Sequence, residues 1–244
     1  MDTIRVLKTN ITDTSISEVS EILTRTNRKT VAVCNANTLV QCFKDNSLNS
    51  IINSFTIATP DGFPVAKAMS KLAKKKIPRV DGFKVFKETI NIGLETNTSH
   101  YFFGSNEKVV KLMIKNLKKE FPNINILGYT CPPIENVEIL FNKFNENIGN
   151  SNPDIIWVSL GFPKQEVFIS KVTELSSINS NFVGIGAVFE WVAGTKIKAP
   201  EWVANIGLEW VLRLIQEPRR LFKRYLTDNT LFVYYFFKQL ISKN

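Results

Sequence analysis

Short apolar runs that stop at turn residues, each followed by a stretch of helical spacing, restrict this chain more than any other feature. Thr30–Asn35 (TVAVCN) reads as a buried strand, with helical spacing over Asn37–Phe43 and Ser47–Ile52. Phe55–Ala58 is a second strand, halted by Pro60-Asp61-Gly62, and helical spacing over Phe63–Lys76 follows. Lys84–Leu94 is another helix. Tyr101–Phe103 is a strand that leads, through Gly104-Ser105, to an amphipathic helix ending at Lys119. Ile124–Gly128, Asp154–Leu160 and Phe182–Gly186 complete the strands, with helices over Val137–Asn147 and Gln165–Leu175 between them. Apolar strands of this length alternating with helices mean stacked βα units. They predict an α/β core whose mainly parallel sheet is covered on both faces. In such folds ligands bind beyond the carboxyl ends of the strands, so chemistry is expected there.

The rhythm stops after Gly194. Residues 1–195 are therefore read as the core and 196–244 as a helical C-terminal appendage. Charge supports the division. The chain has 31 Lys plus Arg against 22 Asp plus Glu, a net charge of +9. Residues 196–244 hold 9 basic and 4 acidic side chains, so the last fifth of the chain carries more than half of the excess. The same stretch contains Trp202, Trp210, Phe222, Tyr225, Phe232 and the run Tyr234-Tyr235-Phe236-Phe237. A basic excess points to a phosphate-bearing partner: nucleic acid, an anionic membrane or a nucleotide-type substrate. About half of these aromatics are expected to be core and the rest a headgroup-level surface.

Three cysteines, Cys34, Cys42 and Cys131, fit neither a disulfide frame nor a zinc site and read as free thiols in a reducing cytoplasm. The N-terminus shows no apolar signal region. The longest late apolar run, Leu231–Phe237, is seven residues, against the ~20 that a membrane span needs.

Several chemistries are disfavoured. There is no P-loop, and Gly184-Ile185-Gly186-Ala187-Val188-Phe189 lacks the last glycine of a dinucleotide fingerprint. No D-x-D pair is present to hold Mg²⁺ on a nucleotide diphosphate. The single histidine, His100, precedes the predicted strand and is expected at a surface or edge. No Ser-His-Asp or Cys-His system is readable.

Four polar clusters fall where strands should end: Cys34-Asn35-Ala36-Asn37-Thr38; Thr59-Pro60-Asp61-Gly62-Phe63-Pro64 with Arg79-Val80-Asp81-Gly82; Gly161-Phe162-Pro163-Lys164-Gln165-Glu166; and Gly184 to Glu190, leading to Lys198-Ala199-Pro200 and Trp202. Each alone has a structural reading as a turn or cap. Together, the segments PDGFPVAKA, RVDGF, LGFPKQE, GIGAVFEWVAG, KAPEW and GLEWVLRLIQEPRRLFKRYL resemble the bacterial WecG/TagA/CpsF glycosyltransferases, family 26 of the carbohydrate-active enzymes. The resemblance runs from about Asn35 to Leu226.

That resemblance implies a Rossmann-like core and an inverting, metal-independent hexosyltransferase. It would move a sugar from a UDP-sugar to an undecaprenyl-diphosphate-linked saccharide at the inner face of the cell membrane, in teichoic acid, capsule or exopolysaccharide synthesis. No cofactor is implied. Inversion needs one general base and positive charge at the leaving diphosphate. The family's base is the Asp of its P-D-G motif, here Asp61. Arg79 would contact the donor or its phosphate, Gln165 the donor sugar with Lys164 beside it, and Glu190 the ribose hydroxyls. Asn35 and Asn37 would line the first strand end. Arg213, Arg220 and Arg224 would face the acceptor diphosphate, while the appendage docks on membrane and closes the site.

Some positions depart from the family pattern. Lys84 stands where an acidic residue is common, Asp81 for Thr, Val33 for Thr, Glu190 for Asp and Lys198 for Arg. These leave the donor sugar open, with N-acetylmannosamine the first candidate. The oligomeric state is open, a homo-oligomer among the alternatives. Two rival readings remain: a nucleic-acid-binding protein using Lys71–Arg79 and the C-terminal arginines, and a non-catalytic membrane-docking partner. A solvated helix face is the simpler reading of Lys71–Lys76.

Overall fold

The computed structural model describes residues 1–133, 135–149 and 151–242; the side chains of Arg220 and Arg224 lie outside the described residues. The elements in chain order are β1 (Thr3–Val6), β2 (Thr9–Thr12), α1 (Ile16–Arg25), β3 (Thr30–Cys34), α2 (Ala36–Lys44), α3 (Asn46–Ser54), β4 (Ile57–Pro60), α4 (Phe63–Ala73), α5 (Gly82–Gly93) and β5 (Ser99–Gly104). They continue with α6 (Glu107–Glu120), β6 (Asn125–Thr130), α7 (Val137–Ile148), β7 (Ile155–Ser159), α8 (Lys164–Leu175), β8 (Asn181–Gly184), α9 (Val188–Ala193), α10 (Glu201–Asn205), α11 (Glu209–Gln216) and α12 (Pro218–Ser242).

Six strands form one parallel sheet in the order β4-β3-β8-β7-β5-β6. This is the expected α/β core, and its strands obey a period of two. On β5, Tyr101 and Phe103 enter the core under α2, α3 and α8, while Phe102 enters the core under α1, α5 and α6. On β7, Ile156 and Val158 face the first of these cores, and Ile155 and Trp157 the second. A sheet buried on both faces explains why its strands read as continuous apolar runs.

Three features escaped the sequence reading. β1 and β2 form an antiparallel hairpin outside the main sheet, and α1 follows it behind a Ser15–Glu18 capping box. His100 lies inside β5 and is buried, not at a surface or edge. Its Nδ1 accepts from Trp157 Nε1 at 3.2 Å, and burial holds its pKa down at about 4, so the ring stays neutral.

The third is the relation of residues 196–244 to the core. α12 lies along α2, and Leu221 and Phe232 are fully buried. Tyr235 stacks on Phe43. Asp228, buried, accepts from Asn37 Nδ2 at 2.5 Å and from Gln41 Nε2 at 3.4 Å. Gln239 accepts from the Leu7 N–H at 2.7 Å and donates to the Arg5 carbonyl at 2.9 Å, fastening the far end of α12 to the β1–β2 turn. The opposite face of α12 is apolar and open: Phe222, Leu226, Val233, Phe237 and Ile241 are all exposed, as are Trp202, Ile206 and Ile215 before it. The aromatics thus divide into a packed set and an exposed set. Among the described residues no helix is long and apolar enough to cross a membrane. Lys71, Lys74, Lys75 and Lys76 are exposed at the end of α4, the solvated face that their spacing suggests.

Candidate functional site

Two cavities meet at the carboxyl end of the sheet. The larger, about 540 Å³, runs past the ends of β3, β7 and β8 and is lined by Asn35, Asp61, Lys164, Gln165, Glu190 and Arg213, with Asp81 and Glu209. The smaller, about 280 Å³, opens between the strand ends and residues 204–233. Asn37, Arg79, Phe63, Trp210, Tyr225 and Phe232 line it. Asn35, Asp61, Glu209 and Arg213 border both.

Asp61 is mounted on the turn that ends β4. Its N–H donates to the Cys34 carbonyl at 2.9 Å and to the Thr59 carbonyl at 3.0 Å, which fixes the backbone against β3. The chain then reverses into α4 through Gly62 at φ +80, a conformation in which a side chain would be strained. Pro64 follows in the first turn of α4, where it lacks no bond. The Pro-Asp-Gly signal is therefore a real turn that also holds its carboxylate at the junction of the two cavities. Loss of water around Asp61 pushes its pKa up to about 7; Glu209 and Asp81 add to the rise, and Arg79 and Arg213 oppose it.

Arg79 lies between α4 and α5 in a segment tied to β4 by a bond from Val80 N–H to the Pro60 carbonyl at 3.0 Å. Its guanidinium is shared by two carboxylates, Asp81 Oδ2 and Glu209 Oε2, each at 2.8 Å. Burial alone would favour its neutral form, yet Asp61, Asp81 and Glu209 outweigh this and raise its pKa. Asp81 also caps α5 through the Lys84 N–H and is approached by Lys198 at 3.7 Å. Lys198 stands over the Phe83 ring, and Arg213 over Trp191.

Around the larger cavity, Gln165 is almost fully buried. Its Oε1 accepts from the Gly186 N–H at 3.2 Å, and its Nε2 donates to Glu166 Oε1 at 2.9 Å, so this amide fixes the β8–α9 loop. Lys164 Nζ donates to the Glu135 carbonyl at 2.8 Å. Glu190 pairs with Lys196 at 2.8 Å. Asn35 caps α2 by accepting from the Thr38 N–H. Asn37, predicted beside Asn35, sends its amide to Asp228 on α12 and borders only the smaller cavity. Arg220 and Arg224 belong to α12, but their side chains fall outside the described residues. Glu209, Lys198, Trp191 and Asp228 belong to the site or its frame without having been assigned a role from sequence. The segment GLEWVLRLIQ drew attention to its arginine, while the partner that gives Glu209 meaning lies 130 residues away.

Comparison with known proteins adds to this geometry. A family model described as "Glycosyl transferase WecG/TagA/CpsF family" matches residues 4–244. An N-acetylglucosaminyldiphosphoundecaprenol N-acetyl-beta-D-mannosaminyltransferase from Bacillus subtilis (strain 168) is 29% identical over 198 residues, covering 81% of this chain and 75% of that protein. Proteins of the same name from Bacillus spizizenii and Staphylococcus aureus (strain MW2) are 29% and 28% identical, each aligned over 70% of this chain and 65% of its own length.

Proposed function

The chain belongs to the WecG/TagA/CpsF glycosyltransferase family, and from that premise we propose that it transfers N-acetylmannosamine from a UDP-sugar to a lipid-diphosphate-linked N-acetylglucosamine. The acceptor and sugar are those in the names of its relatives. One observation carries the assignment of roles: Asp61 borders both cavities. A base for inverting transfer must reach the acceptor hydroxyl and the anomeric carbon together, so it belongs where the donor and acceptor spaces join. The larger cavity, at the strand ends, suits the nucleotide. The smaller one, walled by Phe63, Trp210, Tyr225 and Phe232, suits an acceptor sugar held against aromatic faces.

In this reading Asp61 takes the proton from the acceptor hydroxyl while its oxygen attacks the anomeric carbon. The bond to the UDP oxygen breaks on the opposite face, and the configuration inverts. A carboxylate with its pKa near 7 is well matched to that task. No metal is invoked. Lys164 and Arg213 supply positive charge in the larger cavity, Arg213 also faces the smaller one, and Arg79 stands beside the base. Glu190 is the acceptor of hydrogen bonds for the ribose. Arg220 and Arg224 are proposed for the acceptor's diphosphate. The exposed apolar face of α12, with Trp202 and Ile215, is proposed to rest on the inner membrane surface, where Lys and Arg add about 1 kcal/mol each near anionic lipid.

The test is a panel of UDP-sugars with one N-acetylglucosaminyl-diphosphate lipid, reading UDP release and product. UDP-N-acetylmannosamine is expected to give transfer. Asp61→Asn should abolish turnover while UDP still binds. Full activity in that variant would remove Asp61 from the reaction.

A further inference from the structure

α11 carries two of the side chains that complete the site, Trp210 and Arg213, yet not one of its residues is buried. Burial therefore does little to seat it, and its position depends on specific contacts. Two of these stay near residues 196–244 itself: Trp210 meets the Tyr225 ring at 6.0 Å, and Gln216 bonds to the backbone of Ile197. A third sets Arg213 over the Trp191 ring of α9. The fourth is the ion pair between Glu209, in the first turn of α11, and Arg79 beside the β4 turn.

Arg79 is a fixed anchor for that pair. Its other nitrogen is held by Asp81, which is itself fixed as the cap of α5. Both partners are largely withdrawn from water, with side-chain exposures of 14% and 21%, so the pair is poorly screened and favours one geometry. The turn entering α11 adds a second constraint. Gly207, at φ +81, lies so close to Phe63 that a Cβ there would stand 2.9 Å from the ring. The chain therefore pivots tightly on Phe63, and the next turn is caught by Arg79.

From this geometry we infer that Glu209 is a positioning residue, whose ion pair with Arg79 holds α11 closed over the strand ends and so brings Trp210 and Arg213 to Asp61. This rests on the reading of Asp61 as the base. The charged and titratable groups facing Asp61 are Arg79 and Asp81 from the segment entering α5, Glu209 and Arg213 from α11, and Cys34 from β3. Removing the Glu209 charge takes away one of the negative neighbours that raise the Asp61 pKa. It also frees Arg79 and lets more water reach the carboxylate. Withdrawal of Arg213 with α11 acts the other way, but its influence on Asp61 is the weakest of the four charged neighbours, so the acid limb of the pH–rate profile moves to lower pH.

The experiment compares the full-length protein with Glu209→Gln and Glu209→Asp by hydrogen exchange and by transfer from UDP-N-acetylmannosamine to an N-acetylglucosaminyl-diphosphate lipid across pH. In Glu209→Gln, exchange should quicken over residues 209–216 while the sheet strands keep their protection. The turnover number should fall about tenfold or more, and the acid limb should drop by about one pH unit. Glu209→Asp, which keeps the charge, should recover part of both and serves in its place if Glu209→Gln does not fold. Unchanged exchange over 209–216 with an unmoved acid limb overturns the inference while leaving the transferase reading intact. If the unaltered protein transfers no sugar to this acceptor, the proposed reaction fails instead. The exchange comparison then decides the role of Glu209 alone, faster exchange supporting it and unchanged exchange overturning it.

Discussion

Glu166 turns the pH dependence of stability into a direct test of the buried frame behind the site. It sits in the first turn of α8 with 1% of its surface exposed. Its Oε1 accepts from Gln165 Nε2, and its Oε2 has no partner among the described residues. Burial pushes its pKa from 4.5 up to about 7, with the Gln165 bond offsetting part of the rise. A carboxyl whose folded pKa is raised contributes stability that is fully present below its unfolded pKa and is lost as pH rises through the folded value. At 1.36 kcal/mol per unit, the shift amounts to about 3 kcal/mol in all, most of it lost between pH 5 and pH 8. Glu166→Gln keeps an oxygen for Gln165 but cannot ionise. Urea unfolding of both proteins at pH 5 and pH 8 should show the variant losing about 2–3 kcal/mol less than the parent over this interval. In thermal melts the difference corresponds to about 5–10 °C. Equal pH slopes in the two proteins would mean that Glu166 is already ionised in the fold, and would refute the argument from burial.

Other outcomes follow from the same geometry. Transfer activity should rise with pH through about 7 as Asp61 ionises, and a rate profile flat from pH 5 to 9 would contradict a titrating base of this kind. Asp228→Ala leaves the amides of Asn37 and Gln41 without their acceptor and should cost about 1–3 kcal/mol in chemical unfolding; no loss would show that the α2–α12 clasp is dispensable. Phe222→Ser combined with Phe237→Ser, both about 60% exposed in the fold, should leave the melting temperature within about 2 °C while weakening sedimentation with phosphatidylglycerol vesicles. Unaltered vesicle binding would move the membrane surface elsewhere.

The strands were legible because a sheet covered on both faces demands unbroken apolar runs, and Val31, Phe102 and Trp157 supply them. The β1–β2 hairpin was not, since TIRV and TNIT mix polar and apolar residues over only four positions each. Within the site, Asp61 and Gly62 could be found locally because the turn that mounts them is encoded in adjacent residues. Glu209 and Asp228 could not, because their meaning comes from Arg79 and Asn37, 130 and 191 residues away. His100 misled for a related reason: its hydrogen-bond partner, Trp157, is supplied by a neighbouring strand. Gln165, expected at the donor sugar, does border the larger cavity, but its amide also holds Gly186, a partner 21 residues away that no local pattern marks.

The fastening of Gln239 to the β1–β2 turn joins residues 232 positions apart in the chain. During synthesis, at ~5–20 residues per second, the amino-terminal hairpin waits ~10–50 s for its last partner to leave the ribosome. Until then Phe43 lacks its stacking ring, and Asn37 and Gln41 lack Asp228. Such late, long-range closure leaves the β1–β2 hairpin and α2 vulnerable in the nascent chain, and a chain cut short before Asp228 would be open at both.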